Sequence, residues 1–149
     1  MTYNLIYIRE IYPDDIPEII GIERLSFSTP WSESSFYSEI YNKYSIARVA
    51  ELNGIIAGYI SARHIADECH LLNMAVRPDY RRYGIATMLL KNIIEKLRDS
   101  GCRFFFLEVR ESNYAARRLY EKFGFKIIDL RKNYYVYPDD NAVIMMREL

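Results

Sequence analysis

The stretch Leu72-Asn73-Met74-Ala75-Val76-Arg77-Pro78-Asp79-Tyr80-Arg81-Arg82-Tyr83-Gly84-Ile85-Ala86 has the residue types of an anion site. It reads as an apolar strand, a tight basic turn, and a helix whose first residues are small. Free backbone N–H groups at a helix start attract phosphate, and the helix dipole adds to them. Gly84 lacks a Cβ, so the backbone can approach an anion closely, while Ala86 keeps the next turn open. Arg81 and Arg82 bring charge beside it. The segment is neither G-x-x-x-x-G-K-[ST] nor G-x-G-x-x-G. A strand-to-helix turn with solvated arginines accounts for this fragment equally well.

A second constellation carries acid–base chemistry. Glu108 follows Phe104, Phe105, Phe106 and Leu107, and strand alternation puts it on one face with Phe104 and Phe106. A carboxylate among apolar neighbours is expected to be desolvated, which makes it a stronger base near neutral pH. Tyr120 falls on the apolar face of the next helix, where its hydroxyl needs a partner or a role. Taken singly, Glu108 reads as well as a partner of Arg110, and Tyr120 as a core tyrosine. Their order is what points to chemistry: strand, Glu108, short loop, Asn113 at a helix start, Tyr120 about two turns on.

These residues need a scaffold, and hydrophobic periodicity supplies one. Leu5 to Ile11 reads as a strand, and Pro13 to about Phe27 as a helix with Ile16, Ile19, Ile20 and Ile22 on one stripe. After the break at Ser28-Thr29-Pro30-Trp31, Ser32 caps a short helix expected to bury Phe36, Tyr37, Ile40 and Tyr41. Strands follow over 45–52 and 55–65, and the Asn53-Gly54 pair between them signals a tight hairpin. A strand over 70–76 leads to the basic turn. The helix from about Gly84 to Asp99 presents Ile85, Met88, Leu89, Ile93 and Leu97 to a core and ends at Gly101. Cys102 to Arg110 is apolar on both faces at its start, as expected of a central strand covered on both sides. A helix opened by Ser112-Asn113 buries Ala116, Leu119, Tyr120 and Phe123 and stops at Gly124. Strands over 125–135 and 141–147 close the chain. The order β-α-α-β-β-β-α-β-α-β-β implies an α/β (α+β mixed sheet) fold with about four flanking helices.

The 149 residues fit one domain, 1–149, and show no repeat or linker. Such a chain buries about 70% of its unfolded surface, enough to fold without a disulfide or metal. Twenty basic and twenty acidic residues cancel, which gives no global field for nucleic acid or an anionic membrane. Cys69 and Cys102 form no metal spacing with His64 or His70 and are expected to be buried free thiols in a reducing cytosol. Met1 to Glu10 alternates rather than forming a leader, and no run approaches a membrane span, so a cytoplasmic protein is expected.

Taken together, these motifs resemble the GNAT superfamily of N-acetyltransferases. Its motif [Q/R]-x-x-G-x-[G/A] is met by Arg81, Gly84 and Ala86, the last in place of the commoner glycine. More specific are the stretches Leu72 to Pro78, Leu107 to Asn113 and Leu119 to Phe125. Phe27-Ser28-Thr29-Pro30-Trp31-Ser32, Arg131-Lys132-Asn133-Tyr134-Tyr135 and Asn141-Ala142-Val143-Ile144-Met145 are similar to the RimI-type protein N-terminal acetyltransferases, which modify the N-terminal alanine of a ribosomal protein. The resemblance spans nearly the whole chain. Asn141 stands where relatives often carry an acidic residue.

The resemblance implies acetyl-CoA as co-substrate, no metal, and a protein or peptide N-terminus as partner, with no direct part for nucleic acid or membrane. Met74, Ala75 and Val76 would meet the acetyl and pantetheine arm. Arg81 would mark the turn, and Arg82, Tyr83, Gly84, Ile85, Ala86 and Thr87 would wrap the pyrophosphate, with Asn113 touching the cofactor further along. Glu108 would be general base and Tyr120 general acid, while Trp31, Tyr134 and Tyr135 would admit the peptide. Neither cysteine is placed as an activated nucleophile, so direct transfer is expected, with a backbone N–H near Met74 or Ala75 meeting the oxyanion. Three other readings are a broad archaeal-style N-terminal acetyltransferase, a small-amine acetyltransferase, and a CoA-binding module without turnover. Polycationic amines call for an acidic pocket, whereas acidic residues here are dispersed apart from Asp139-Asp140. A binding module has no use for the Glu108–Tyr120 pair.

Overall fold

The computed structural model describes residues 5–149. The reading of the chain start falls partly on residues 1–4, outside the described residues. One seven-stranded sheet organises the chain, in the order β1-β2-β3-β4-β5-β7-β6. Its strands are β1 (Ile6–Glu10), β2 (Ser45–Leu52), β3 (Ile55–Ile65), β4 (Glu68–Val76), β5 (Phe104–Arg110), β6 (Lys126–Tyr135) and β7 (Asp140–Glu148). Helices α1 (Ile16–Ser26), α2 (Glu33–Ile40), α3 (Ile85–Asp99) and α4 (Tyr114–Lys122) connect them in the expected order. Every pairing is antiparallel except β4 with β5.

The two faces carry separate cores. On one, Ile16, Ile19 and Ile22 of α1 and Phe36 of α2 pack on Val49, Ile56 and Tyr59. On the other, the α3 stripe of Leu89, Ile93 and Leu97 joins Phe105, Leu107, Val109, Tyr120 and Phe125. Helices α1 and α2 lie over β2 to β4 and leave the same face of β5 uncovered. Local chemistry explains the framework. Asn53 and Gly54 both take positive φ, 52° and 80°, as a two-residue hairpin turn needs. Ser32 caps α2 by accepting from the Ser35 N–H at 3.2 Å. Asp15 fixes the start of α1, its carboxylate accepting from Arg9 at 2.8 and 3.0 Å and from the Tyr12 N–H at 2.7 Å.

Three sequence expectations change. Tyr41 is 73% exposed rather than buried, because α2 ends at Ile40 and the chain turns away there. Cys69 and Cys102 are not free thiols but are bonded to each other, with Cα atoms 6.3 Å apart. Pairing of Cys69 with Phe105 draws the residues before β5 alongside the start of β4. Finally, β5 is buried on one face only. Phe105, Leu107 and Val109 are covered, Phe104 and Phe106 are half-buried, and Glu108 is exposed.

The feature that makes a site is a parting of β4 from β5. They pair only over Glu68–His70 with Phe104–Phe106. In the next residues of β4 the register against β3 jumps from Leu71 opposite Ala62 to Asn73 opposite Ser61, so Leu72 is an extra residue. A bulge bends a strand and strengthens its twist, and here it swings Asn73 to Val76 away from β5.

Candidate active site

A cleft of about 1250 Å³ opens where β4 and β5 part. Its lining brings together Met74 of β4, Glu108 of β5, Asn113 at the cap of α4, Tyr120 within α4, Trp31 of the α1–α2 loop, and Tyr134 and Tyr135 of β6. Those seven expected site residues therefore share one space. The remaining expected residues, Ala75, Val76, Arg81, Arg82, Tyr83, Gly84, Ile85, Ala86 and Thr87, lie outside that lining. They form the end of β4, the turn that follows it, and the start of α3.

Glu108 and Tyr120 approach the cleft from opposite faces of the sheet. Glu108 sits on the face that α1 and α2 leave bare, so its side chain is 40% exposed and the expected desolvation is not met. Its Oε1 lies 3.7 Å from Arg131 Nη1, and the Tyr134 hydroxyl donates to its carboxylate. That hydrogen bond, followed by the charge of Glu108 and burial, raises the pKa of Tyr134. Tyr120 belongs to the opposite core, packed edge-on against Phe125 at 5.8 Å between ring centres. Burial, then the nearby Tyr135, pushes its pKa well above the ordinary tyrosine range. Its hydroxyl has no hydrogen-bond partner among the described residues, so the polar tip of a buried ring is left to the cleft.

The β6–β7 hairpin is held in place from below. Arg110 lies over the Tyr135 ring at 4.3 Å and donates to the Pro138 carbonyl at 2.7 Å. Asn141 donates to Glu111 at 3.1 Å and accepts from the Asn133 N–H at 2.9 Å, across the irregularity between Arg131 and Tyr135. Burial first, then Glu108 and Tyr134, pushes the pKa of Tyr135 up to about 12. On the opposite rim, Trp31 packs on Phe36 at 5.2 Å.

The start of α3 is built to leave donors free. Gly84 caps it at φ 75° without a side-chain hydrogen bond, a left-handed value that suits glycine. Nothing lies within 4 Å of where its Cβ would be. The first backbone bond of the helix runs from Met88 N–H to the Gly84 carbonyl, which leaves Ile85, Ala86 and Thr87 N–H without intrahelical acceptors. Arg82 also takes a positive φ, 75°, a strained value that a side chain adopts where local structure forces it. Asn113 differs, because its Oδ1 accepts from Ala116 N–H at 3.2 Å and so caps α4.

Residues 16–125 match the family described as Acetyltransferase (GNAT) family. The chain belongs to that family. The acetyltransferase is 38% identical over 133 residues to a ribosomal protein bS18-alanine N-acetyltransferase of Escherichia coli strain K12, covering 88% of this chain and 89% of the relative. A crystal structure of the ribosomal-protein-S18-alanine N-acetyltransferase from Escherichia coli superposes with a TM-score of 0.91 at 34% identity, covering 97% of this chain and 94% of that one. Ard1 from Thermoplasma volcanium superposes with a TM-score of 0.87 at 28% identity, covering 97% of both chains.

The acetyltransferase uses acetyl-CoA as co-substrate, and its residues fit that molecule. The cleft exceeds the usual size of a small-molecule site. The uncapped start of α3 suits a pyrophosphate, and the edge of β4 beyond His70, unpaired with β5, suits an extended amide-bearing arm.

Two residues escaped the sequence reading. Arg131 precedes the Tyr134-Tyr135 pair by three residues, and a cation beside that pair could have been matched to Glu108. Glu23 was hidden by its setting, a carboxylate within the apolar stripe of α1. It is 1% exposed and lines the cleft.

Proposed function

We propose that this enzyme moves an acetyl group from acetyl-CoA to the α-amino group of a protein N-terminus, with the alanine of ribosomal protein bS18 as first candidate. The carrying observation is the pair Glu108 and Tyr120, on opposite walls of one cleft rimmed by Trp31, Tyr134 and Tyr135. The names of the two Escherichia coli relatives direct the choice of acceptor. The proposal covers residues 1–149 as a single domain acting in the cytoplasm. Among the described residues no helix is long and apolar enough to cross a membrane.

Acetyl-CoA, when bound, supplies an activated acyl carbon and a thiolate leaving group. Ile85, Ala86 and Thr87 would hold its pyrophosphate by their backbone N–H groups, with Arg81, Arg82, Tyr83 and Gly84 shaping the turn. Met74, Ala75 and Val76 would hold the arm, a backbone N–H there would meet the oxyanion, and Asn113 would lie beside it. An N-terminal amine has a pKa of about 8, so part of it arrives protonated, and only the neutral form attacks. Glu108 takes the proton, directly or through water, and its exposure gives the amine access. Tyr120 keeps its own proton at neutral pH and offers it to the departing sulfur.

The cleft favours a peptide over a polycationic amine. Its carboxylates Glu23, Glu68, Glu108 and Asp129 are offset by Arg63, Arg110 and Arg131. Thiol release from acetyl-CoA tests the choice. Faster release with an Ala-starting peptide than with spermidine supports it, faster release with spermidine contradicts it, and no release with either amine leaves a CoA-binding module.

A further inference from the structure

The mechanism above has no use for Glu23, the most deeply buried ionisable group on the cleft wall. A buried carboxylate is costly unless hydrogen-bond donors meet it. Three do. The Tyr59 hydroxyl and Asn73 Nδ2 both donate to Oε1, the latter at 2.9 Å, and Trp31 N–H donates to Oε2 at 2.7 Å. The donors come from three separate elements: β3, the bent part of β4, and the α1–α2 loop. Trp31, Phe36 and Tyr59 also pack in a row, 5.2 and 5.6 Å between successive ring centres, so the row ends on the tyrosine that donates to Glu23.

We propose that Glu23 is a positioning residue for the acceptor. Its carboxylate sets the distance between the Trp31 rim and the bent segment of β4, and so the width of the cleft where a peptide enters. The inference rests on the acceptor being a protein N-terminus. None of the hydrogen bonds of Glu23 reaches the start of α3. Asn73 adjoins Met74, so losing the carboxylate weakens the acceptor more than it weakens acetyl-CoA.

Trp31 is the single tryptophan of the chain, so its fluorescence reports the link without any substrate. In Glu23→Gln the amide nitrogen cannot accept, and either the Trp31 bond or the Tyr59 and Asn73 bonds are lost. The expected result is red-shifted emission, stronger acrylamide quenching, and a KM for an Ala-starting peptide raised about tenfold, the order expected when a remote change shifts a wall that positions the substrate. The KM for acetyl-CoA rises by less than the peptide KM. Wild-type emission with an unchanged peptide KM overturns the proposal, and so does an equal rise in both KM values. If Glu23→Gln does not fold, Asn73→Ala removes one donor, and the same split is required of it; a rise confined to acetyl-CoA, or no rise, overturns the proposal. If the wild type acetylates no α-amine, the acceptor reading fails, and the emission of Glu23→Gln decides the Glu23–Trp31 link separately.

Discussion

Tyr120→Phe removes one oxygen from the cleft wall and little else. The Tyr120 ring is 7% exposed and keeps its packing on Phe125. Its hydroxyl has no partner among the described residues, so no protein hydrogen bond is broken. The stability change should stay below about 1 kcal/mol. General-acid assistance is worth about 10²–10⁴-fold, so kcat should fall by at least about 10², or roughly 2.7 kcal/mol in the barrier. The KM for acetyl-CoA should not move. The wild-type pH profile adds a second constraint. Burial and Tyr135 hold the phenol above the ordinary value of about 10, so its ionisation should cause no loss of kcat below about pH 10. Steady-state thiol release and urea melts on both proteins give the comparison. A kcat within threefold of wild type, or a loss that follows a fall in stability, would refute the role and leave Tyr120 a packing residue.

Glu108→Gln should lower kcat about 10²-fold with little change in melting temperature, since its ion pair with Arg131 is solvent-exposed; unimpaired turnover removes Glu108 from the base role. Gly58→Ala should destabilise by about 1–3 kcal/mol in a urea melt, because the added methyl would meet the Ala75 carbonyl oxygen at 2.9 Å and side chains of Ile85 and Leu89 at 3.2 and 3.3 Å. An unchanged midpoint would show that β3 and β4 yield there. Asp15 is raised by burial, but the Arg9 hydrogen bonds, the Tyr12 N–H and the Arg9 charge outweigh this and hold it below its ordinary value. The unfolded chain then binds the extra proton, so this stability is present above about pH 4 and is lost as pH falls through the lower folded value. Asp15→Asn should flatten the acid limb of a stability–pH curve; an acid limb identical to wild type would contradict the pairing.

Local elements were legible because their causes are local. Asn53-Gly54 fixed a hairpin through two positive φ values, Ser32 and Asn113 capped helices, and strict periodicity marked α3. What could not be read was non-local. Insertion of β7 between β5 and β6 depends on pairing across the chain, and nothing in its own residues states it. Glu108 was read as desolvated because Phe104 and Phe106 flank it in sequence, whereas its exposure depends on where α1 and α2 lie. The bulge at Leu72 that opens the cleft sits in an uninterrupted strand pattern with no glycine to announce it. The pairing of Cys69 with Cys102 likewise depends on β4 and β5 meeting in parallel at one end.

The central claim is that Glu108 and Tyr120 serve transfer to an α-amine. Its most direct test incubates the wild-type enzyme with acetyl-CoA and a peptide carrying the N-terminus of bS18 and internal lysines, then maps the acetyl group by fragmentation mass spectrometry. The expected product carries the acetyl group on the terminal alanine nitrogen. Acetylation confined to lysine side chains, or no acetylated peptide, would contradict the claim.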